Sequence, residues 1–242
     1  MTIRSFLFAL TIAAAFASHA SAHEVIYTAF LSGRAESPPN ASPGGGFVTI
    51  TIDFDLFTMR VEANFSNLQG ATTTAHIHAA TAAPFTGAAG IATQTPSFEA
   101  FPGGVTNGIY DHTFDLADAS SYNPEFIAAN GGTLFTASNA LFAALDQGRA
   151  YLDIHTSAFS DGEIRGFLQV PVRIVSVTRL AGNTVHLECI GRPEMPNRIE
   201  SSPDLNEANF TTVAAVKADD EGAFEYDDPN PGARKFYRAR FP

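Results

Sequence analysis

The sequence predicts an all-β protein built from two β-sandwich domains. Turn-forming residues recur roughly every ten positions between short runs of β-branched and aromatic residues, which is typical of antiparallel sandwiches. Within 47–55 (FVTITIDFD), polar and apolar side chains alternate after the first residue, as they do in a half-buried strand. Helical patterning after residue 22 is confined to one short segment, 137–145 (ASNALFAAL).

The first predicted domain takes residues 23–171, and its strands are interrupted by proline, glycine and small polar residues. Residues 36–46 contain three prolines and three glycines, so no regular strand continues through them. Residues 79–108 form a long loop, and such a length is uncommon in a compact domain unless the loop is functional or contains short strands. The predicted strands are 25–32, 47–55, 56–63, 74–78, 109–114 and the two arms of a hairpin within 151–168.

The second predicted domain takes residues 172–242 and begins after Pro171. Its short β-rich runs match a small sandwich in length and spacing. They are 173–179, 184–190, 198–202, 210–217, 223–227 and 235–241. Cys189 is the only cysteine, so no intrachain disulfide can form. Its place in a strand-like run predicts a small buried apolar residue, with an intermolecular bridge as the alternative.

Residues 1–22 have the pattern of a secretory signal peptide. Arg4 supplies a positive start, 5–17 are apolar, and Ala20-Ser21-Ala22 has the small-x-small pattern that precedes cleavage. The apolar run is shorter than the ~20 residues that a transmembrane helix needs. We therefore expect cleavage after Ala22 and a secreted or periplasmic protein without a transmembrane anchor. His23 would then be the N-terminal residue, where its α-amine and imidazole could chelate copper, unless its position is an accident of cleavage.

The chain is acidic, with 25 carboxylates against 14 Lys and Arg residues. Nucleic acid is excluded as a class of partner, because phosphate binding needs a basic patch. Anionic membrane surfaces are disfavoured on the same ground. A protein or a component of the cell envelope is the expected partner, and the sequence leaves the ligand and the oligomeric state open.

Polar residues two positions apart mark one face of three predicted strands, because side chains alternate along a strand. The apolar residues of the same strands form the natural core face: Ile77, Leu152, Ile154, Ile164 and Leu168. The polar face is therefore predicted to lie on the outside of the sheet, provided that 74–78 pairs beside the hairpin. Its members are His76, His78, Asp153, His155, Glu163 and Arg165.

Three interpretations of this polar face are open. His76, His78 and His155 supply three imidazoles that can bind copper or zinc, with Asp153 adding an oxygen or orienting a ring. Alternatively, the Glu/Arg pair of the hairpin locks the strands and hydrogen-bonds the histidines with no ligand at all. Catalysis is the least supported, because neither a Ser/His/Asp order nor a G-x-S-x-G motif occurs.

The same residues carry a family resemblance. The segments AHIH (75–78), YLDIHTSAFSDGEIRGFL (151–168) and FLSGRAESPP (30–39) together resemble the CHRD domain, a module named after chordin and found in many secreted bacterial proteins. The resemblance covers about residues 24–170 and implies a Greek-key β-sandwich, an extracellular module without established catalysis. The chain departs from the usual pattern at Ala79-Ala80, Asp153 and Asp161, where the family has Gly-Pro, Asn and Gly.

Two looser resemblances concern the metal and the second domain. The H-x-H pattern is similar to that of copper/zinc superoxide dismutase sandwiches, although the fourth histidine and the disulfide expected there are not evident. Residues 201–241 are similar in layout to fibronectin type III or immunoglobulin-like sandwiches, which implies interaction or spacing. The first expectation is therefore an exported, non-enzymatic binding or structural module. A copper- or zinc-binding protein comes second, and a superoxide dismutase-like metalloenzyme third.

Overall fold

The computed structural model describes residues 23–191, 195–219 and 222–240. The predicted signal peptide, residues 1–22, lies outside the described residues. Over the described ranges the chain forms thirteen strands and two short α-helices, so the all-β prediction is confirmed. The strands belong to one large antiparallel sheet and two small ones.

The large sheet has seven strands in the order β4-β6-β7-β1-β2-β3-β5, and every neighbouring pair is antiparallel. The chain forms β1, β2 and β3 as a meander, crosses to the far edge for β4, returns for β5 and crosses again to β6. These crossings bring β4 beside β6 although β5 and both helices separate them in sequence. The bounds are β1 (Glu24–Ser32), β2 (Gly45–Asp53), β3 (Thr58–Ser66), β4 (Thr72–His78), β5 (Gly108–Asp115), β6 (Tyr151–Thr156) and β7 (Ile164–Phe167).

One hydrophobic core serves the whole large sheet, which is curled. Val48, Ile50 and Ile52 of β2 are fully buried, and the alternating Thr49 and Thr51 point away from them, as the pattern predicts. The core face predicted for the other end of the sheet is buried in the same cluster. It consists of Ile77, Leu152, Ile154, Ile164 and Leu168. Two distant ends of one sheet therefore close over a shared apolar interior.

Two helices, rather than the single predicted one, lie between β5 and β6. They are α1 (Pro124–Ala129) and α2 (Leu134–Asp146). The unpredicted α1 is short, but Asn123 caps it by accepting from the Glu125 N–H, and Pro124 occupies its first turn. In α2, Thr133 forms the N-cap, so the helix begins three residues earlier than its apolar pattern predicts.

The long loop after β4 runs along the open edge of that strand. Backbone N–H groups of Ala92, Phe98 and Gly104 donate to carbonyls of β4, the first two at 2.9 and 3.1 Å. An uncovered edge strand is a template for unwanted pairing, and the loop occupies its hydrogen-bonding groups. The predicted irregular loop is confirmed, and it also covers one side of the polar face described below.

The remaining strands form two three-stranded sheets, ordered β11-β10-β13 and β12-β9-β8. Both sheets contribute to one separate hydrophobic cluster that contains Leu187, Ile199 and Phe224. Cys189 lies in it with 2% of its surface exposed, so the predicted burial of this thiol is confirmed. The likeness to fibronectin type III modules stays a prediction. The bounds are β8 (Arg173–Arg179), β9 (Val185–Ile190), β10 (Pro196–Ser202), β11 (Thr211–Lys217), β12 (Ala223–Asp228) and β13 (Phe236–Arg240).

Candidate metal centre

Three histidines meet on one face of the β4–β6 pair. His76 lies opposite Asp153 across the two strands, and His78 lies opposite Tyr151. His155 stands two positions from Asp153 and so shares its face. The ring centroids are 5.4 Å (His76–His155), 5.7 Å (His78–His155) and 5.8 Å (His76–His78) apart. One potential ligand atom of each residue lies within 4.8 Å of those of the other two.

The three histidines lie on the face of the sheet opposite the core residues, as predicted, but the expectation that this face is exposed is wrong. His76 is 3% and His78 8% exposed, and His155 is only partly exposed. Residues 79–107, the 3₁₀ turn at Gly33–Ala35 and the turn between β6 and β7 cover the face. Alternation along a strand identifies side chains that share a face, but it does not show which face a distant loop will cover.

Each imidazole has one nitrogen bonded to a backbone carbonyl. His76 Nε2 lies 2.7 Å from the Pro96 oxygen, and His78 Nδ1 lies 2.9 Å from the Ala89 oxygen. His155 Nδ1 lies 3.0 Å from the Ser160 oxygen. A carbonyl oxygen can only accept, so these three nitrogens carry the ring hydrogens. The opposite nitrogen of each neutral ring therefore presents a lone pair.

Those opposite nitrogens are buried and have no hydrogen-bond partner. They are His76 Nδ1, His78 Nε2 and His155 Nε2. Buried polar atoms are almost always paired, and each exception needs a physical explanation. The three rings cannot satisfy one another, because each already uses its only hydrogen on a carbonyl. Three unpaired lone pairs thus belong to rings whose centroids lie only 5.4–5.8 Å apart.

The cluster stays uncharged at neutral pH. Burial lowers the pKa of all three imidazoles, and the bonds to backbone carbonyls only partly offset this effect. The pKa of His78 is lowered to about 4, first by burial and then by the repulsion that its charged form would meet from protonated His155 and His76 and from Arg165. Neutral imidazole is the form in which histidine binds metal ions, so no proton has to be removed first.

Tyr151 holds the ring of His78 in place. The two rings are parallel within 5°, with centroids 5.0 Å apart. The Arg165 guanidinium lies 4.5 Å from the centroid of the same tyrosine ring. The Tyr151 hydroxyl accepts from the Ala89 N–H at 3.2 Å, beside the carbonyl that binds His78. Tyr151 is therefore a positioning residue that the sequence prediction left out of the site.

Asp153 lies beside the cluster and pairs with a second carboxyl group, Glu36, instead of joining the nitrogens. The two side chains lie close enough to interact, so a hydrogen bond between them would need a proton on one of them, and Asp153 Oδ1 and Glu36 Oε1 are buried without a partner. Burial raises the pKa of Asp153 to about 9 and that of Glu36 to about 7. Arg165 Nε lies 3.7 Å from Glu36 Oε2. Glu36 was missed as a site residue, although it stands in the segment that resembles the start of a CHRD domain.

Glu163 does not belong to the polar face on which it was predicted. Its carboxylate accepts from the Gln69 N–H (2.6 Å), the Gly70 N–H (3.1 Å) and the hydroxyls of Ser42 (2.6 Å) and Thr156 (2.7 Å). Gly162 has a positive φ of 122°, so the chain turns before β7 begins at Ile164. The predicted two-residue alternation with Arg165 therefore does not extend back to Glu163.

His23 is not part of the three-histidine cluster. Its backbone nitrogen lies 3.1 Å from Asp55 Oδ2, next to the turn between β2 and β3. Arg165 does lie on the predicted face, where its Nε donates to the Ala35 carbonyl at 2.5 Å. Of the residues proposed from sequence as ligands, only His76, His78 and His155 are thus brought together.

The fold and the site together define the class of protein: an all-β module that encloses three clustered imidazoles. Residues 27–168, more than half of the chain, match the family model described as CHRD domain. The chain therefore belongs to the CHRD family, as the sequence resemblance implied. No curated protein and no solved structure matches it.

The family supplies a setting for the site. The CHRD domain is found in extracellular and secreted proteins and is not known as enzymatic. Within the part of the chain that the structure describes, no helix is long and apolar enough to cross a membrane.

Proposed function

We propose that this protein binds one transition-metal ion, copper or zinc, through His76 Nδ1, His78 Nε2 and His155 Nε2. The observation that carries the proposal is the convergence of three buried nitrogen lone pairs with no hydrogen-bond partner. We further propose that the protein is exported after removal of residues 1–22 and acts outside the cytoplasm as a non-enzymatic metal-binding module.

The spacing of the nitrogens suits a small metal ion. At metal–nitrogen distances of about 2.0–2.1 Å, ligating nitrogens lie about 3.3–3.6 Å apart. One ring nitrogen of each histidine already lies within 4.8 Å of one ring nitrogen of each of the other two, so small ring movements would complete the geometry. The carbonyls behind the rings fix which nitrogen faces the metal, as is usual for histidine ligands. Imidazole ligands suit both zinc and copper, and the donor set leaves that choice open.

A ligand-free hydrogen-bond network explains the site less well. It requires the hairpin's Glu163 and Arg165 to bond the imidazoles, but Glu163 binds four donors elsewhere and Arg165 donates to Ala35. A single water donates only two hydrogen bonds and would leave one of the three nitrogens unpaired. One cation can satisfy all three lone pairs at once.

Zinc titration of the exported protein without residues 1–22, purified without a histidine tag and stripped of metal, tests the proposal. Isothermal calorimetry should show one tight site, and the His76→Ala and His155→Ala variants should lose it. His112→Ala is the matched control, because His112 lies on β5 outside the cluster. A parallel copper titration of His23→Ala separates binding at the N-terminus from binding at the cluster. Absence of zinc and copper binding by the unmutated protein, or full binding by His155→Ala, would falsify the proposal.

A further inference from the structure

The three-histidine cluster offers a metal ion neutral donors only. Among the residues that the structure describes, it is the one group of at least three histidine, cysteine, aspartate or glutamate side chains whose ligand atoms lie within 4.8 Å of one another. Neither a carboxylate nor the thiol of Cys189 belongs to it. Imidazole binds metal ions in its neutral form, so the full charge of a bound ion would stay in the site.

The groups directly behind the ligands are neutral as well. The second nitrogen of each imidazole donates to a backbone carbonyl, at 2.7–3.0 Å, and none of these three hydrogens goes to a carboxylate. A carboxylate in that position would add negative charge and make the ring more basic. A carbonyl carries no net charge, so the partners of the three ring N–H groups do not offset the charge of a divalent ion.

The charged side chain in the stack on His78 is a cation. The Tyr151 ring is parallel to the His78 ring, and the Arg165 guanidinium lies 4.5 Å from the centroid of that tyrosine ring. Arg165 also acts electrostatically on two buried carboxyl groups, Glu36 and Asp153, with its Nε 3.7 Å from Glu36 Oε2. The guanidinium thus repels a bound cation and opposes the negative charge that these carboxyl groups can provide.

Burial makes the charge of the ion decisive. His76 and His78 are almost completely buried. The cost of moving an ion out of water rises with the square of its charge, so a divalent ion costs about four times as much as a univalent ion of the same size. Zinc is almost always bound by four ligands, and Cu(II) prefers a tetragonal arrangement, so three imidazoles leave both ions short of ligands. Univalent copper, Cu(I), has half the charge and a filled d shell that imposes no geometry, and three nitrogen ligands are enough for it.

We propose that this site takes up univalent copper, Cu(I), in preference to zinc and Cu(II). This inference rests on the proposed function, the binding of one metal ion by the three histidines. Uptake involves no change of oxidation state, because Cu(I) leaves the ligands that carry it and forms bonds to the three imidazole nitrogens. Neutral donors, neutral groups behind them and a nearby guanidinium all favour the ion of lower charge.

Anaerobic competition between the two metals tests this selection. The protein without residues 1–22 and without a histidine tag carries His23→Ala, which removes the N-terminal chelate. It is loaded with one equivalent of zinc and titrated with Cu(I) buffered by bicinchoninate. Cu(I) should displace the zinc, with a Kd at least about a hundredfold lower than that of zinc. Cu(II) added in air to the metal-free protein should bind at least about a hundredfold more weakly than Cu(I). His112→Ala is the matched control and should keep this order, whereas His155→Ala should lose Cu(I) binding.

A change of one nearby charge tests the cause of the selection. Arg165→Gln removes the guanidinium, and the affinity for both ions should rise. The factor for zinc should be about the square of the factor for Cu(I), because the Coulomb energy is proportional to the charge of the ion. The same relation holds for any carboxyl charge that the substitution uncovers. Arg60→Gln, at a half-exposed arginine on β3, should change neither affinity.

The outcomes separate the selection from the site. If the unmutated protein binds neither zinc nor copper, the proposed function fails and this inference fails with it. If bound zinc survives an equimolar addition of Cu(I), or if Cu(II) binds as tightly as Cu(I), the selection is wrong and the metal site stands. Equal changes of zinc and Cu(I) affinity in Arg165→Gln would also overturn the selection, because the charge of the ion would then play no part. The displacement measurement leaves Arg165 in place, so it decides the question even if Arg165→Gln fails to fold.

Discussion

Two buried polar clusters flank the β6–β7 hairpin, and they are built in opposite ways. Glu163 is fully buried, and two backbone N–H groups and two hydroxyls satisfy its carboxylate. One of those hydroxyls belongs to Thr156, which alternates with His155 and so faces the other side of β6. The three histidines lie on the face opposite Thr156, and each leaves one nitrogen unpaired.

The difference distinguishes a structural polar group from the proposed metal site. Glu163 ties together the chain before β2, the chain after β3 and the hairpin itself. Nothing more can be added to it, because its oxygens already have donors. Each histidine donates one hydrogen bond to a covering segment, but its other nitrogen has no partner among the chain atoms. Substitutions in the two clusters should therefore have opposite effects on the free energy of unfolding and on metal affinity.

The largest effect is expected for Glu163→Gln. The change removes the charge and turns an amide N–H₂ toward donors, leaving buried N–H or hydroxyl groups unpaired. We expect the free energy of unfolding to fall by roughly 3–5 kcal/mol, with metal affinity of the folded protein unchanged. Urea denaturation measures the first and zinc titration the second. Glu62→Gln, at a partly exposed carboxylate, should change stability by less than about 1 kcal/mol.

The contribution of Glu163 should also disappear in acid. Burial alone would raise its pKa, but hydrogen bonds from Ser42, Thr156, Gln69 and Gly70 outweigh burial and lower it. A carboxyl whose folded pKa is lowered contributes stability that is fully present above its unfolded pKa of about 4.3. That contribution is lost as the pH falls through the folded pKa. The stability gap between the unmutated protein and Glu163→Gln should stay constant from about pH 7 to about pH 5 and then narrow. A gap that widens in acid would contradict this assignment.

Metal binding at the histidine cluster should add to the stability of the protein. A ligand that binds the folded state alone adds about 2.7 kcal/mol when its free concentration is about 100 times the Kd. Thermal unfolding with zinc should show this gain, and a chelator should reverse it. His78→Ala should lose the gain, whereas Glu62→Gln should keep all of it. A zinc gain that survives in His78→Ala would place the binding elsewhere.

Much of this contrast could be predicted from local patterns, and part of it could not. Alternation along 74–78 and 151–155 correctly placed His76, His78 and His155 on one face. It failed at Glu163, because Gly162 turns the chain just before the strand begins. Strand periodicity holds only while the backbone stays extended.

The segments that cover the site could not be predicted from local sequence, because they lie far from the histidines along the chain. Pro96, Ala89 and Ser160 supply only backbone carbonyls to the histidines, so their side chains carry no pattern that marks them. Glu36 reaches the site from the segment before β2, and nothing in its local sequence indicates a partner near Asp153. Contacts made by backbone atoms, or between segments far apart in sequence, are invisible to periodicity.

The smallest effect concerns the ring that supports His78. Tyr151→Leu removes the parallel stack and the hydroxyl contact to Ala89, and we expect metal affinity to fall about tenfold because His78 gains rotational freedom. Tyr151→Phe keeps the stack and should lose less. Zinc titration of both variants, with unfolding measured in parallel, checks the order. Equal affinity in all three proteins would show that the carbonyl of Ala89 alone orients His78, and the contrast between the clusters would then rest on hydrogen bonding without any contribution from the stack.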